Sequence, residues 1–356
     1  MRLMIAGGGT GGHLFPGIAI AEELRAQHPD CAVRFVGTAR GIEARVVPAQ
    51  GWELDTIEVT GLKTVGLVGA LRGVGRLPRA LWQARRVLKA FKPDAVIGVG
   101  GYASGPVVLM AKLRGIPTAI CEQNSIPGLT NRILGRLVRR VFLAFEESRR
   151  FFAPKKIAMT GNPIRRDLVA KLLAGEPHDD GKLHVLVAGG SLGAVAVNDL
   201  ASQALIALAK ETPLAIVHQT GEKDADKIRA RYAEAGVPAE VSAFIVDMAG
   251  AYLGADLIVC RAGATTVAEL AIAGKPALFI PYPFAADDHQ TRNAREMVER
   301  GAALSFAQQD LTAEALAAAI RGLDAAKRAA MGTAMTAFAK PGAAAAVVDW
   351  LASLHA

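Results

Sequence analysis

The sequence predicts an α/β protein made of two similar halves, each a parallel sheet covered by helices. Three observations predict it. Apolar segments of four to six residues alternate with helical patterns along the whole chain, the signature of parallel strands joined by crossover helices. Two of these strands carry nearly the same exit: Leu3–Ala6 runs into Gly7-Gly8-Gly9-Thr10-Gly11-Gly12-His13, and Val185–Ala188 runs into Gly189-Gly190-Ser191-Leu192-Gly193-Ala194. At 356 residues the chain is also long for a single core, so two domains are expected. A strand ending in a glycine turn that starts a helix gathers backbone N–H groups and a positive helix end at one point, which suits phosphate. Two such turns imply Rossmann-like domains facing across a cleft with a diphosphate-bearing ligand between them.

The first half is expected to hold strand Leu3–Ala6, a helix over Pro16–Gln27 with Ile18, Ala21 and Leu24 on its apolar face, and strand Val33–Gly37. Strands Ala95–Val99 and Thr118–Cys121 follow, with shorter ones at Val141–Ala144 and Ile157–Met159. Gly161-Asn162-Pro163 marks the domain boundary, because the residue before proline is biased to extended backbone and the pattern then restarts. The domains are therefore 1–160 and 161–340. Gly175–Gly181 reads as a polar loop. The second half repeats the alternation with strands Val185–Ala188, Leu214–Gln219, Val241–Phe244, Leu257–Cys260 and Ala277–Pro281, and helices over Thr265–Ala273 and Ala313–Ala326. Pro341-Gly342 precedes a last helix, Ala343–Leu354, and residues 341–356 are expected to return to the first domain.

Composition narrows the function. Hydrophobic residues make up 51% and charged residues 21%, which is globular rather than disordered. Cys31, Cys121 and Cys260 are few, far apart and odd in number, so a reduced, cytosolic protein without a cysteine metal motif is expected. Met1-Arg2 leads straight into a strand, which argues against a secretory signal. The longest uncharged run, Ala95–Ala111, is broken by glycines and Pro106 and falls short of the roughly 20 residues a spanning helix needs. Charge is uneven: residues 1–160 carry 23 Lys/Arg against 11 Asp/Glu, a net of +12, whereas the remainder carries a net of −4. The first half should therefore meet an anionic partner.

That excess is concentrated between Glu58 and Asp94, where eight basic residues and no acidic one occur. Leu71, Arg72, Leu77, Arg79, Leu81, Trp82, Arg85 and Arg86 form an interleaved basic and apolar pattern there. Nucleic acid is disfavoured because stacking aromatics are scarce. An anionic membrane surface fits, each Lys/Arg contributing about 1 kcal/mol while the apolar groups dip in.

Gly7-x-Gly9-x-x-Gly12 formally matches the dinucleotide fingerprint, which also wants a carboxylate at the end of the second strand to hold a ribose. That strand ends Val36-Gly37-Thr38-Ala39, so a nicotinamide enzyme is disfavoured. His13 opens a helix whose positive end disfavours the imidazolium, leaving a neutral ring that can act as general base toward a hydroxyl. Cys260-Arg261-Ala262-Gly263 leads from a strand into a helix start at Ala264, where amides and the hydroxyls of Thr265 and Thr266 can hold a diphosphate. Glu269 lies one turn further and can accept from a ribose diol. Arg165 could offset leaving-group charge. Asp287, Asp288 and His289 are too closely spaced to share one metal ion, so sugar-hydroxyl binding by Asp288 and Gln290 is preferred, and no metal is expected. Glu122-Gln123-Asn124 is polar at a strand's C-terminal end, where α/β proteins bind ligands.

In order, Gly8-Gly9-Thr10-Gly11-Gly12-His13, Gly100-Gly101-Tyr102-x-Ser104-Gly105-Pro106, Glu122-Gln123-Asn124, Gly161-Asn162-Pro163-Ile164-Arg165, Gly189-Gly190-Ser191, Phe244-Ile245-x-Asp247-Met248, Cys260-Arg261-x-Gly263-Ala264 and Asp288-His289-Gln290 resemble the motifs of the MurG family. These are the N-acetylglucosaminyltransferases of bacterial peptidoglycan synthesis. The resemblance covers almost the whole chain. It implies a GT-B fold and inverting transfer from UDP-N-acetylglucosamine to the muramoyl 4-hydroxyl of lipid I, giving lipid II, with no cofactor. It implies donor contacts at Thr10, Gly11, Gly12, Asn124, Arg165, Ser191, Ile245 (to uracil, through its backbone), Ala264, Thr265, Thr266, Val267, Ala268, Glu269 and Gln290. His13 and Glu122 become the catalytic candidates, with Tyr102 and Ser104 on the acceptor side. It also implies a peripheral place on the cytoplasmic face of the inner membrane, with cell-wall or division proteins as partners. Leu192 stands where many members have glutamine, and Cys121 where many have histidine. A UDP-N-acetylglucosamine epimerase of similar plan is the principal alternative.

Overall fold

The computed structural model describes residues 1–59, 66–175, 180–190 and 193–354, without side chains for 66–76. The chain divides into two compact units, Met1–Arg166 with Pro341–Ala356, and Asp167–Lys340.

In the first unit the elements are β1 (Arg2–Gly7), α1 (Gly11–Gln27), β2 (Ala32–Gly37), α2 (Glu43–Ala49), β3 (Glu53–Thr56), α3 (Gly66–Phe91), β4 (Ala95–Gly100), α4 (Ser104–Leu113), β5 (Thr118–Glu122), α5 (Leu129–Gly135), β6 (Arg140–Leu143) and β7 (Ile157–Met159). The seven strands form one parallel sheet in the order β3-β2-β1-β4-β5-β6-β7. Alternation along β1 sorts its side chains between two cores. Leu3 and Ile5 pack with Ile18 and Leu24 of α1, whereas Met4 and Ala6 pack with Ala84 and Leu88 of α3 and Val107 of α4.

The second unit continues with α6 (Arg166–Ala174), β8 (Leu183–Ala188), α7 (Val195–Leu208), β9 (Leu214–Gln219), α8 (Ala225–Glu234), β10 (Glu240–Ser242), α9 (Met248–Leu253), β11 (Leu257–Cys260), α10 (Ala264–Ala273), β12 (Ala277–Phe279), α11 (His289–Glu299), β13 (Ala303–Ser305), α12 (Ala313–Arg321) and α13 (Ala325–Thr336). Its parallel sheet runs β10-β9-β8-β11-β12-β13. Val185 and Val187 of β8 face a core with Val197 and Leu205 of α7 and Ile320 of α12. The last helix, α14 (Ala343–Ala352), belongs to the first unit: Val347, Val348 and Leu351 join the cluster beneath α1, and Trp350 meets Phe142 edge-on with ring centroids 5.6 Å apart.

Several elements differ from expectation. Helix α1 begins five residues before Pro16, because the amides of His13 and Leu14 both bond to Thr10 O. Strand β3 was not expected. Its Glu-Leu-Asp-Thr sequence has little apolar character, yet Arg34 on β2 pairs with Glu53 and Asp55, and a polar edge strand resists unwanted pairing. The alanine-rich helix expected through Ala326 ends at Arg321. Asp324 then caps a new helix by accepting the Lys327 amide at 2.8 Å. His289-Gln290-Thr291-Arg292-Asn293, for which no helix was expected, begins helix α11.

Candidate active site

In the first unit the polar residues gather at the C-terminal ends of β1, β4 and β5. His13 is the third residue of α1, half-buried, with Nδ1 3.2 Å from the hydroxyl of Thr10, the N-cap residue. Its ring lies over the backbone of Gly100, where φ is +97°; a methyl there would overlap the imidazole. Gly8 donates to Gly100 O at 3.3 Å, so the turn after β1 and the turn after β4 brace one another. When Nδ1 carries the proton shared with Thr10, Nε2 is the proton acceptor, the arrangement a general base needs.

The turn after β1 departs from the expected phosphate cradle. Its Gly9 amide donates to Glu43 Oε2 at 2.7 Å, and the amide and hydroxyl of Thr38 both donate to Glu43 Oε1 at 2.8 Å. Glu43, from α2, is 1% exposed. Burial pushes its carboxyl up, but the Gly9 and Thr38 donors outweigh burial and hold it below the usual range. The carboxylate missing from the end of β2 is thus supplied six residues later, and it faces the turn rather than a ligand. Thr10, Gly11 and Gly12 remain at the surface edge of this turn.

Tyr102 is exposed beside the turn after β4. Ser104 is not: it is fully buried and its hydroxyl donates to Gly101 O at 2.9 Å, so it closes the turn instead of presenting to an acceptor. Glu122 at the end of β5 is also buried, its carboxylate accepting from Asn131 Nδ2 at 2.8 Å and from the Asn124 amide at 3.0 Å. Burial dominates and pushes its carboxyl up to about 7 despite these bonds. Glu122 therefore shapes the half-buried Asn124 from below, without an exposed carboxylate. Gln123 Nε2 bonds Val99 O at 3.1 Å and ties the ends of β4 and β5 together.

In the second unit the polar groups lie at the ends of β8, β10, β11 and β12. Ser191 and Leu192 lie outside the described residues. Flanking them, Gly193 donates to Gly190 O at 2.9 Å, and a methyl on Gly193 would overlap Thr220 O. The start of α10 carries no side-chain cap, since Gly263 is the N-cap, and a helix's first amides have no intrahelical partner. Thr265, Thr266, Ala268 and Glu269 are half-exposed there, whereas Ala264 and Val267 are buried. Helical periodicity turns Val267 into the core, so its side chain is no donor contact. Glu269 Oε2 accepts from the buried Tyr252 hydroxyl at 2.8 Å.

Arg261 braces this end of the sheet: it donates to Ile280 O at 2.8 Å, Pro281 O at 3.0 Å and Gln308 Oε1 at 2.7 Å. Ile245 is half-buried between the exposed Phe244 and Val246, in the segment joining β10 to α9. Gln290 Oε1 accepts the Tyr282 amide at 2.9 Å, which leaves its NH2 to donate. Asp288 has φ +54° and accepts from the Thr291 hydroxyl at 2.6 Å. Arg165 is half-buried in the segment just before α6.

Residues 3–143 match the glycosyltransferase family 28 N-terminal domain, and residues 184–347 match the glycosyltransferase family 28 C-terminal domain. The chain belongs to glycosyltransferase family 28. A Myxococcus xanthus protein named UDP-N-acetylglucosamine--N-acetylmuramyl-(pentapeptide) pyrophosphoryl-undecaprenol N-acetylglucosamine transferase is 53% identical over 324 residues, 91% of this chain and 84% of that protein. A Geobacter metallireducens protein of the same name is 49% identical over 98% of this chain and 97% of its own. The crystal structure of Acinetobacter baumannii MurG, 36% identical, superposes with a TM-score of 0.83 and covers 99% of both chains. The fold of the two units is accordingly that of the GT-B glycosyltransferases. A Neisseria meningitidis UDP-GlcNAc 2-epimerase superposes with a TM-score of 0.69 at 14% identity, a likeness of fold alone.

Two residues that shape the site carry little signal in the sequence. Glu43 follows Gly37 and Gly41, and that spacing was its only signal. Tyr252 lies 17 residues before its partner Glu269, with no local signal at all.

Proposed function

We propose that this chain transfers N-acetylglucosamine from UDP-N-acetylglucosamine to the 4-hydroxyl of the muramoyl sugar of lipid I, with inversion, giving lipid II for peptidoglycan. The observation that carries the reading is the near full-length identity of about half with transferases of that name. His13 takes the proton from the acceptor hydroxyl through Nε2, with Nδ1 bonded to Thr10. The oxygen then displaces UDP in line at the anomeric carbon. The helix start at Ala264, Thr265 and Thr266, the turn bearing Ser191, and Arg165 meet the charge that develops on the diphosphate. Ile245 meets uracil through its backbone. Glu269, oriented by Tyr252, accepts from the ribose, and Gln290 donates to a sugar oxygen. Displacement by a hydroxyl needs neither redox chemistry nor a covalent intermediate, so no cofactor is required.

Lipid I is a membrane substrate, and helix α3 suits a membrane surface. Ala80, Ala84 and Leu88 face the core at helical spacing, whereas Leu77, Trp82, Arg85 and Arg86 are exposed and Leu81 is partly so. Arg79 is paired with Glu58 at 2.8 Å, and the side chains of Leu71 and Arg72 lie outside the described residues. Among the described residues no helix is long and apolar enough to cross a membrane. The exposed basic and apolar face of α3 supports peripheral attachment to a membrane; the reading puts the chain on the cytoplasmic face of the inner membrane, where cell-wall and division proteins are candidate partners.

Labelled UDP-N-acetylglucosamine incubated with a lipid I analogue tests the reading. Label should enter the lipid fraction only with both the protein and the acceptor present. Release of free sugar without acceptor would instead favour the epimerase alternative.

A further inference from the structure

The carboxylate of Glu43 sits in a socket made of glycine. A methyl on Gly8 or Gly41 would fall on its carboxyl atoms and one on Gly37 on its Cγ, so three backbone positions lack side chains around one shared group. The three donors facing it, the Gly9 amide and the amide and hydroxyl of Thr38, are those a bound anion would use. The Thr38 hydroxyl also accepts the Gly41 amide at 3.1 Å, which closes the ring of bonds back onto α2. Gly9 precedes Thr10, whose hydroxyl meets His13.

We propose that Glu43 is a built-in anion for the turn after β1, filling the place of a ligand phosphate and setting the backbone that carries Thr10 and His13. It is a positioning residue for the proposed transfer, and this role rests on that reading. It also explains how two glycine turns of like sequence can differ in use. The turn after β1 has its Gly9 donor satisfied from within, so the amides that receive a nucleotide diphosphate are those of the second unit.

The distances show how the effect would travel. Replacing the carboxylate by an amide puts an NH2 group opposite the Gly9 or Thr38 amide. Two donors then face each other in a socket with no room to turn. The turn must open, and the Thr10–His13 pair moves with it. Small displacements of a catalytic base cost rate much more than they cost substrate binding made elsewhere.

The test uses full-length Glu43→Gln and Glu43→Ala proteins. Turnover should fall by about tenfold to a hundredfold in both, while the Kd for UDP stays within about twofold of the parent, because the uracil, ribose and diphosphate contacts proposed at Ile245, Glu269 and the start of α10 are made on the other unit. In E43A, formate should restore part of the turnover and raise the melting temperature, since the emptied socket keeps its three donors. Formate should do neither for the parent or for E43Q. Parental turnover in both variants would overturn the proposal. So would loss of UDP binding along with turnover, which would mark Glu43 as a general folding residue, and so would an E43A protein indifferent to formate. Should the parent itself transfer no sugar, the functional reading fails, and the formate-dependent melting of E43A still decides the role of Glu43.

Discussion

The buried hydroxyl of Tyr252 donates to Glu269 Oε2 at 2.8 Å, linking α9 to the exposed face of α10. Burial, together with the neighbouring Glu269 carboxylate, pushes the phenol well above its usual range, so it stays a donor at every working pH. A carboxylate held in one orientation loses less freedom when it receives a ribose diol. Tyr252→Phe should weaken UDP binding by about tenfold, the scale of one hydrogen bond to a charged group. The affinity for 2′,3′-dideoxy-UDP should hardly change. Calorimetry with both ligands checks this, and equal losses for the two would remove the ribose from the explanation.

His13→Ala should leave the Kd for UDP intact while lowering turnover by roughly 10²–10⁴-fold, the usual contribution of a general base. Gly100→Ala offers an independent approach. Its methyl would occupy the space of the imidazole ring, and the residue would be strained at φ +97°. It should mimic the His13 defect in steady-state assays. Normal turnover in either variant would remove His13 from the role of base.

Two buried groups should tilt stability with pH in opposite directions. Burial raises Glu122 from 4.5 to about 7, so between those values the folded protein keeps a proton that the unfolded chain has lost. Stability from this group falls as pH rises through that window and is level above it. Burial lowers His218 from 6.5 to about 4; its ring lies between the Tyr232 hydroxyl at 3.1 Å and Asn198 Oδ1 at 3.2 Å. There the unfolded chain gains the proton first, so stability is lost as pH falls from 6.5 toward 4. Urea midpoints measured across this range should lose the first slope in Glu122→Gln and the second in His218→Gln. A parental slope retained in either variant would contradict its assignment.

Attachment to anionic vesicles should depend on α3. Replacing both Arg85 and Arg86 with Glu should weaken binding by at least tenfold, given about 1 kcal/mol per basic residue near such a surface. Trp82, 61% exposed, should blue-shift its fluorescence on binding. High salt should weaken the interaction. Equal binding to neutral and anionic vesicles would exclude this basic face as the anchor.

Much of the site was legible because its signals are local. A run of apolar residues ending in glycines marks a strand, a turn and a helix start within about a dozen positions. That placed β1, β8, β11 and the start of α10, and it put His13 in the first turn of its helix. The register within those elements was legible only in part. The run Ala264–Glu269 expected to meet the donor includes Val267, which helical periodicity turns inward. Ser104, expected on the acceptor side, instead closes the turn at Gly101 with its hydroxyl.

The two parallel-sheet units, the glycine turns and the helix starts follow from the conformational preferences of a few consecutive residues, so the chain's local order is enough to specify them. What those turns do is settled by contacts between distant segments. Glu43 fills the first turn across 34 positions of chain, Tyr252 orients Glu269 across 17, and α14 returns to lie beneath α1. A hydrogen bond or a packed face depends on where distant segments meet in space. The backbone amides of a glycine turn look alike in sequence whether a ligand or the protein's own carboxylate satisfies them.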